Sequence, residues 1–256
     1  MAENVADSTN RFSNRVENYV RYRPGYPPEV LEILKQEIGL APTWKIADLG
    51  SGTGISADLF LRNGNAVYGV EPNTPMREAA EKLLAGYPNF HSIAGAAEAT
   101  ALPDQCVDAV IAAQAFHWFD AIKARQESLR ILKPGGWAVL LWNTRRLDTT
   151  PLLQAYERLL LEHGVDYARV RHDQINPAKL ATFFGGPFTT TAVVNEQRLT
   201  LDGLRGRILS SSYIPAAGQP RHDAVLQATE RMFDEHAQNG EVVLEYDVEI
   251  HVRQIA

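Results

Sequence analysis

A glycine-rich segment, Asp48–Gly54, carries the clearest chemical pattern in the sequence. Its glycines stand at positions 50, 52 and 54, directly after the apolar stretch 45–49, which we predict to be a buried strand. Such a turn lets a ligand approach the backbone closely at the carboxyl end of a parallel strand. Dinucleotide sites require the spacing Gly-x-Gly-x-x-Gly, whereas position 55 is isoleucine here. The spacing therefore disfavours a nicotinamide dinucleotide.

Two acidic residues indicate what this loop binds instead. Asp48 stands two residues before Gly50 and would repel a pyrophosphate, but it suits a ligand that carries an ammonium or sulfonium group. Glu71 follows the predicted strand 66–70, where an acidic side chain can accept hydrogen bonds from both hydroxyls of a ribose. Because amino acid, sulfonium and ribose occur together in S-adenosylmethionine, we predict this molecule as the cofactor. A plain strand-to-helix turn would explain the glycines but not the two acids at successive strand ends.

The elements that must position these residues alternate regularly as far as Asn143. Strands are predicted over 45–49, 66–70, 91–94, 107–113 and 137–142, and helices over 29–38, 56–62, 74–85 and 121–132. Beyond Asn143 helices are predicted over 151–163, 177–184, 201–211 and 222–238, and strands over 188–199 and 241–252. Short apolar strands separated by helices indicate βαβ units. The expected fold is α/β, a doubly wound, mainly parallel, seven-stranded Rossmann-like sheet with a helical insertion in the C-terminal half.

The order of these features resembles that of the class I S-adenosylmethionine-dependent methyltransferases over roughly residues 40–145. Many relatives have Gly-Asp-Ala-Glu where this chain has Gly95-Ala96-Ala97-Glu98, so the family aspartate that binds adenine is Ala96 here. The resemblance implies a cofactor site in which the loop and Gln114 hold the methionyl part, Glu71 the ribose, and the remaining residues the adenine. The residues that it implies are Asp48, Gly50, Ser51, Gly52, Glu71, Pro72, Met76, Ala97, Glu98 and Gln114.

Three further motifs give a narrower resemblance. They are Tyr-Val-Arg-Tyr-Arg-Pro-Gly-Tyr-Pro at 19–27, Gln-Ala-Phe-His-Trp-Phe-Asp at 114–120, and Ser-Ser-Ser-Tyr-Ile-Pro at 210–215. As a set they resemble the methyltransferase type 11 group, which is similar to trans-aconitate methyltransferases. This resemblance implies methylation of a small-molecule acceptor, with a carboxylate as one candidate, and assigns Tyr19 and Arg23 to the cofactor site. Arg23 suits the carboxylate of an acceptor equally well.

The acceptor is expected near the end of the strand 107–113. His117 is the candidate catalytic residue: it would act as a general base for a hydroxyl or amine, or only position an acceptor that needs no base. A carboxylate needs cations rather than a base, and a bidentate arginine suits it. The candidate substrate residues are Trp118, Arg145, Ser212 and Tyr213, with Arg15, Arg21 and Arg146 as further cations and Tyr19 and Tyr22 as parts of a lid.

Composition limits the remaining function classes. A formal charge of −6 and a pI near 5.7 do not favour nucleic acid as a partner. Residues 1–14 carry no apolar signal region and no stretch is long enough to span a membrane, so we expect a cytoplasmic protein. The single cysteine, Cys106, is expected in the core, and no metal-ligand spacing occurs, so no metal is expected.

We expect three parts of the chain to have different roles. They are a lid at 1–27, a cofactor-binding core at 28–145, and the remainder of the sheet with a substrate-side helical insertion at 146–256. A non-catalytic S-adenosylmethionine-binding module and, less favoured, an NAD-dependent oxidoreductase remain as alternatives. The sequence leaves the oligomeric state open.

Overall fold

Strands and helices alternate along the part of the chain that the computed structural model describes, residues 20–165, 167 and 176–256. The strands in chain order are β1 (Lys45–Leu49), β2 (Ala66–Val70), β3 (Phe90–Ile93), β4 (Val107–Ala113), β5 (Leu132–Arg145), β6 (Thr189–Leu199) and β7 (Val242–Gln254). The α-helices are α1 (Glu29–Ile38), α2 (Ile55–Arg62), α3 (Thr74–Leu83), α4 (Ala121–Ile131), α5 (Pro151–His163), α6 (Pro177–Phe184), α7 (Leu201–Leu209) and α8 (His222–His236). Every predicted helix and strand is present, and the largest difference is the earlier start of β5.

The seven strands form one sheet in the order β3-β2-β1-β4-β5-β7-β6. Strands β1 to β5 pair in parallel, whereas β7 is antiparallel to both of its neighbours, β5 and β6. The sheet is therefore mixed rather than purely parallel. The chain runs outward from β1 to β3 on one side and resumes at β4 on the other. The carboxyl ends of β1 and β4 thus flank the switch point at which open α/β sheets bind their ligands.

Side-chain caps fix the starts of two helices beside this edge. The Asn73 carboxamide oxygen accepts a hydrogen bond from the Met76 N–H (3.0 Å) at the start of α3, which directly follows β2. The Asp120 carboxylate accepts from the Ile122 and Lys123 N–H groups (3.1 and 3.2 Å) at the start of α4. Such caps satisfy N–H groups that the helix itself leaves unpaired. They hold the loops after β2 and β4 close to the strand ends.

Helices cover both faces of the sheet, which explains why β4 is apolar almost throughout. On one face Val110 belongs to a buried cluster that includes Phe183 of α6. On the other face Ile111 belongs to a cluster that includes Leu34 of α1 and Phe60 of α2. Full burial of a large apolar side chain contributes roughly 1.5–3 kcal/mol. These two layers therefore hold the central strands, and with them the switch point, in place.

A third cluster of buried side chains packs where β6 and β7 pair. It brings Tyr156 of α5, Leu204 of α7 and Val225 of α8 against Tyr246 of β7. Helices α7 and α8 stand between β6 and β7 in the chain, at the predicted place. That they are an insertion in the fold stays a prediction.

Cys106 is half-buried at the margin of the cluster around Val110, not fully buried as predicted, because it stands in the turn before β4. Within the described ranges, no helix is long and apolar enough to cross a membrane. No group of three histidine, cysteine or acidic side chains in the same ranges could hold a metal ion.

Candidate active site

One cavity of about 370 Å³ opens at the switch point and continues along the ends of β4 and β5 to α7. Its size is typical of small-molecule sites, which measure roughly 300–1,000 Å³. The cavity is lined by fifteen of the residues that the sequence predicts for the site: Arg23, Gly50, Ser51, Gly52, Glu71, Pro72, Met76, Ala97, Glu98, Gln114, His117, Trp118, Arg145, Ser212 and Tyr213. Tyr19 and Arg15 lie outside the described residues. The roles assigned to all of these residues stay predictions.

The first two glycines of the loop serve different purposes. Both have left-handed backbones, with φ of 68° at Gly50 and 56° at Gly52, which glycine adopts without steric cost. A Cβ atom at Gly50 would stand 2.6 Å from the Ala115 Cβ, so close packing requires glycine there. A Cβ atom at Gly52 would meet no protein atom within 4 Å. Gly52 therefore leaves space in the cavity, as a ligand lying on the backbone would need.

Glu71 joins the loop to the end of β2. Its carboxylate accepts hydrogen bonds from the Gly52 N–H and from the Asn73 N–H, both at 2.8 Å. Burial raises its pKa, although these two hydrogen bonds act in the opposite direction. Each carboxylate oxygen has a second lone pair, so the side chain can still accept from hydroxyl groups in the cavity. This arrangement suits the predicted contact with a ribose.

Asp48 is fully buried and does not line the cavity. One of its carboxylate oxygens accepts a hydrogen bond from the Ser56 hydroxyl at 2.6 Å. The other is buried and has no hydrogen-bond partner. Burial, and secondarily the charge of Glu71, raises the pKa of this carboxyl from 3.8 to about 7. The resemblance implies that Asp48 contacts the methionyl amino group, mostly through the loop; from this position it would act on a ligand through the loop and through its charge.

Other polar atoms near the loop are also unpartnered. The Thr53 hydroxyl and the Gln114 carboxamide oxygen are buried without a hydrogen-bond partner in the structure. Gln114 has a left-handed backbone (φ 57°), its N–H donates to the Leu141 carbonyl (3.1 Å), and its carboxamide nitrogen donates to the Asn143 carbonyl (2.9 Å). Buried polar atoms are normally paired. Unpaired acceptors around an open glycine loop fit a ligand that brings hydrogen-bond donors, as the methionyl and ribose parts of the predicted cofactor do.

The loop after β3 forms the side of the cavity predicted to hold adenine. Ala97 is buried there, and the Glu98 carboxylate accepts a hydrogen bond from the Asp120 N–H at 2.7 Å. Met76 is buried beside it on α3, whereas Pro72 is exposed. Glu98 therefore ties this loop to the start of α4 and lines the cavity at the same time.

His117 and Trp118 stand on a short 3₁₀ turn, Phe116–Trp118, directly beyond β4. The His117 ring lies 4.5 Å from the Trp118 ring, and its edge meets the Trp142 ring at 5.3 Å between centroids. The His117 carbonyl accepts a hydrogen bond from the Lys179 ammonium at 2.8 Å. The imidazole is thus held by two indoles at the strand end, where the sequence predicts the acceptor.

The predicted cations differ widely in their surroundings. Arg146, a predicted substrate cation, does not line the cavity, and its guanidinium binds the Asp247 carboxylate (2.7 Å) on β7. Arg21 is exposed, lies over the Tyr22 ring and is also outside the cavity wall. Arg145 does line the cavity, but its guanidinium binds the Glu157 carboxylate at 2.5 Å. Its charge is therefore largely compensated by the protein itself.

Sequence reasoning missed Arg207, which lines the cavity from α7 and is 7% exposed. The residues three and four positions before it, Leu204 and Gly203, are buried. That spacing places Arg207 on the buried stripe of the helix and was the available signal. Tyr246, which lies on the inward-facing side of β7 and also lines the cavity, was missed for a similar reason.

The segment at residues 22–25 crosses the acceptor end of the cavity. The Asn143 and Asn195 carboxamides donate hydrogen bonds to the Gly25 carbonyl (3.1 and 2.9 Å), and the Gln197 carboxamide donates to the Tyr22 carbonyl (2.8 Å). Arg23 donates to the Ser210 carbonyl at 3.1 Å. Side chains of β5 and β6, and a backbone carbonyl at the end of α7, thus hold this segment over the site.

Comparison with known sequences gives matches to methyltransferases. Residues 47–140 match a family model described as a methyltransferase domain. An uncharacterized methyltransferase of Mycobacterium bovis is 39% identical over 139 residues, which are 54% of this chain and 54% of that protein. The chain thus spans about half the length of the curated relatives it matches.

Comparison with solved structures extends over nearly the whole chain. A proposed type II methyltransferase from Anaeromyxobacter dehalogenans has a TM-score of 0.65 at 22% identity, and the match covers 91% of this chain and 98% of that one. Phosphoethanolamine N-methyltransferase 2 of Haemonchus contortus, solved with phosphomonomethylethanolamine and S-adenosylhomocysteine, has a TM-score of 0.56 at 16% identity. That match covers 97% of this chain and 58% of the other. At these identities the likeness concerns the fold.

Proposed function

We propose that this chain, whose residues 47–140 match a methyltransferase domain, is an S-adenosylmethionine-dependent methyltransferase of class I that transfers a methyl group to a carboxylate of a small-molecule acceptor. The observation that carries the proposal is the single cavity that joins the glycine loop and Glu71 to His117 and Trp118. A donor and an acceptor bound in one cavity meet in a fixed orientation. Such positioning supplies a large part of the rate of a bimolecular transfer.

The residues around the loop fit the cofactor. Glu71 would accept from the ribose hydroxyls, the open space at Gly52 would admit the ligand against the backbone, and Gln114 would face the methionyl part. When bound, S-adenosylmethionine supplies a methyl group on a sulfonium, so that an acceptor oxygen gives an electron pair to carbon while the carbon–sulfur pair returns to sulfur. The protein's task is then to orient the acceptor oxygen and exclude water.

The surroundings of His117 support an acceptor that needs no base. A carboxylate is already ionised at neutral pH, because its ordinary pKa is about 4. The imidazole packs between the Trp118 and Trp142 rings, and this contact positions it as part of the cavity wall. We therefore assign His117 to positioning. The alternative, a general base, would apply if the acceptor were a hydroxyl or an amine.

The division of the chain into three parts remains part of the proposal. Residues 1–27, of which 1–19 lie outside the described residues, are the proposed cover; 28–145 would bind the cofactor and 146–256 would shape the acceptor end. The hydrogen bonds from Asn195, Gln197 and Asn143 to the backbone at Tyr22 and Gly25 support a cover of this kind. A cover over a methyl-transfer site keeps water away from the reacting groups.

Calorimetry and a labelled-methyl assay test the proposal together. S-adenosylhomocysteine should bind and NAD should not, and small carboxylic acids, rather than phenols or amines, should receive label from S-adenosylmethionine. Glu71→Gln should weaken S-adenosylhomocysteine binding about 10- to 100-fold, the scale of a lost charged hydrogen bond. Glu78→Gln, on the exposed side of α3, is the matched control and should leave it unchanged. Failure of S-adenosylhomocysteine to bind would refute the proposal, whereas binding without transfer to any acceptor would identify a non-catalytic module.

A further inference from the structure

Helix α7 buries a guanidinium that has no carboxylate partner among the described residues. Arg207 is 7% exposed, and its Nε and Nη1 atoms donate hydrogen bonds to the Tyr246 and Ser211 hydroxyls, each at 3.3 Å. Both partners are neutral, and both bonds are long for charge-assisted hydrogen bonds. A guanidinium has five N–H donors, so these two contacts leave most of its capacity unused.

Three other arginines in this part of the chain are each paired with a carboxylate. Arg145 binds Glu157 at 2.5 Å, Arg146 binds Asp247 at 2.7 Å, and Arg205, two residues from Arg207 on α7, binds Glu230 at 2.5 Å. Taking a charge out of water costs several kcal/mol, which proteins normally offset by pairing it. Arg207 is the most buried of these four and the one without an acid. The guanidinium of Arg207 therefore has no counter-anion among the described residues, and a ligand would have to supply one.

The groups around Arg207 cannot supply that anion. Tyr156, whose buried hydroxyl has no hydrogen-bond partner, has its pKa raised by burial to about 12. Burial likewise raises the pKa of Tyr167, so both phenols stay neutral at physiological pH. Tyr167, Tyr213 and Tyr246 line the cavity together with Arg207. The Tyr167 and Tyr246 hydroxyls already donate to the Glu157 carboxylate and the Gln197 carboxamide oxygen. Within the described part of the chain, this end of the cavity therefore presents a guanidinium without an acid partner beside the Tyr213 side chain.

We infer that Arg207 binds a carboxylate of the methyl acceptor and makes the site specific for acids. The inference rests on the proposed function, because it concerns the acceptor end of the same cavity. The bound carboxylate would replace the missing counter-ion and accept hydrogen bonds from the guanidinium in a geometry that arginine favours. The Tyr246 and Ser211 hydroxyls, which already contact Arg207, hold the guanidinium in place for it.

The test compares acids with their amides in wild type and two variants. The probes are aliphatic mono- and dicarboxylates of three to six carbons, each paired with its primary amide, in the labelled-methyl assay. In Arg207→Met the KM for the best acid should rise about 100-fold with a smaller change in kcat, the scale for losing the partner of a buried charge. The preference for acid over amide should fall by a similar factor. Arg205→Met, on the same helix but paired with Glu230 at its surface, is the control and should keep the wild-type KM.

Binding measurements separate this inference from the proposed function. With S-adenosylhomocysteine present, the best acid should raise the Tm of wild type but not of Arg207→Met, while S-adenosylhomocysteine affinity stays equal in both proteins. Arg207→Lys, which keeps the charge but lacks the planar fork, should have an intermediate KM. Acid binding that depends on Arg207 without any transfer would refute the proposed transfer and keep the inference. Transfer to neutral acceptors with an unchanged KM in Arg207→Met, or no acid-induced rise in Tm in wild type, would overturn the inference.

Discussion

Replacing Asp48 by asparagine should change the pH dependence of folding stability. The Asp48 carboxyl is fully buried, only one of its oxygens has a hydrogen-bond partner, and its pKa rises from 3.8 to about 7. The folded protein therefore holds this proton more tightly than the unfolded chain does. The stabilisation is complete below about pH 4 and is lost as the pH rises through about 7. At 1.36 kcal/mol per pKa unit, the loss for this one group is at most about 4 kcal/mol.

Urea unfolding of the ligand-free proteins over about pH 5 to 8 measures this contribution. Asp48→Asn lacks the carboxyl, so the free energy of unfolding of the variant should rise relative to that of wild type between about pH 5 and pH 8, by about 2.5 kcal/mol of the full loss of about 4 kcal/mol. Glu71, whose pKa is also raised by burial, is present in both proteins and largely cancels in the difference. A difference between the two proteins that stays constant with pH would show that Asp48 is not protonated in the ligand-free fold.

The same variant tests how Asp48 acts on the cofactor. The ammonium group of a bound ligand favours the ionised carboxylate, so the affinity of wild type for S-adenosylhomocysteine should rise from about pH 6 to about pH 8. Asp48→Asn should bind more weakly, by about 1.5–3 kcal/mol near pH 8, and should lack this rise. Calorimetry at several pH values gives both quantities. Parallel pH profiles in the two proteins would refute an electrostatic role and leave Asp48 as a structural partner of Ser56.

The glycine loop and His117 give the remaining predictions. Gly50→Ala should lower the free energy of unfolding by about 1–3 kcal/mol, because its Cβ would stand 2.6 Å from that of Ala115 in a left-handed backbone. Gly52→Ala should be less destabilising than Gly50→Ala, since its Cβ meets open space. For the same loss of stability, it should weaken S-adenosylhomocysteine binding more. If the two variants lose stability in urea unfolding and affinity in calorimetry in the same proportion, this expectation is refuted. His117→Ala should only reduce transfer to a carboxylate in the labelled-methyl assay. Complete loss of transfer to the acid would instead support the general base.

Helices and strands were predictable because their signals are local. Thr150 and Pro151 mark the start of α5, where the Thr150 hydroxyl accepts a hydrogen bond from the Leu153 N–H. Strand β5 is the exception: it begins at Leu132, whereas the sequence predicts a start at 137. Leu132 pairs with Val107 across a register shift that separates it from the regular pairing at Trp137. Such pairing depends on a distant strand, and the Lys-Pro-Gly-Gly sequence between the two points indicates only a turn.

The same distinction divides the site. The donor end is encoded in short stretches, the glycine loop and the acid after β2, so its residues could be chosen from spacing alone. The acceptor end is assembled from distant segments. Arg146 seemed free because its partner, Asp247, lies on β7 about a hundred residues away. The local pattern of α7 indicates that Arg207 is buried, but its lack of an acid partner depends on distant segments, and no local pattern contains that information.

Near each end of the cavity, one buried ionisable side chain lacks a partner of opposite charge among the residues that the structure describes. Asp48 lies buried near the donor end with an unpartnered oxygen, and Arg207 lies buried at the acceptor end without an acid. In the ligand-free protein each lowers stability, since a neutral side chain of similar size would avoid the cost of desolvating a charge. Their signs are opposite and match the charges of a sulfonium amino acid and an acidic acceptor. Asp48 lies beneath the glycine loop, outside the cavity wall, and Arg207 lines the other end of the cavity, so neither neutralises the other directly. Binding of the ligand with the complementary charge should therefore stabilise the fold at each position.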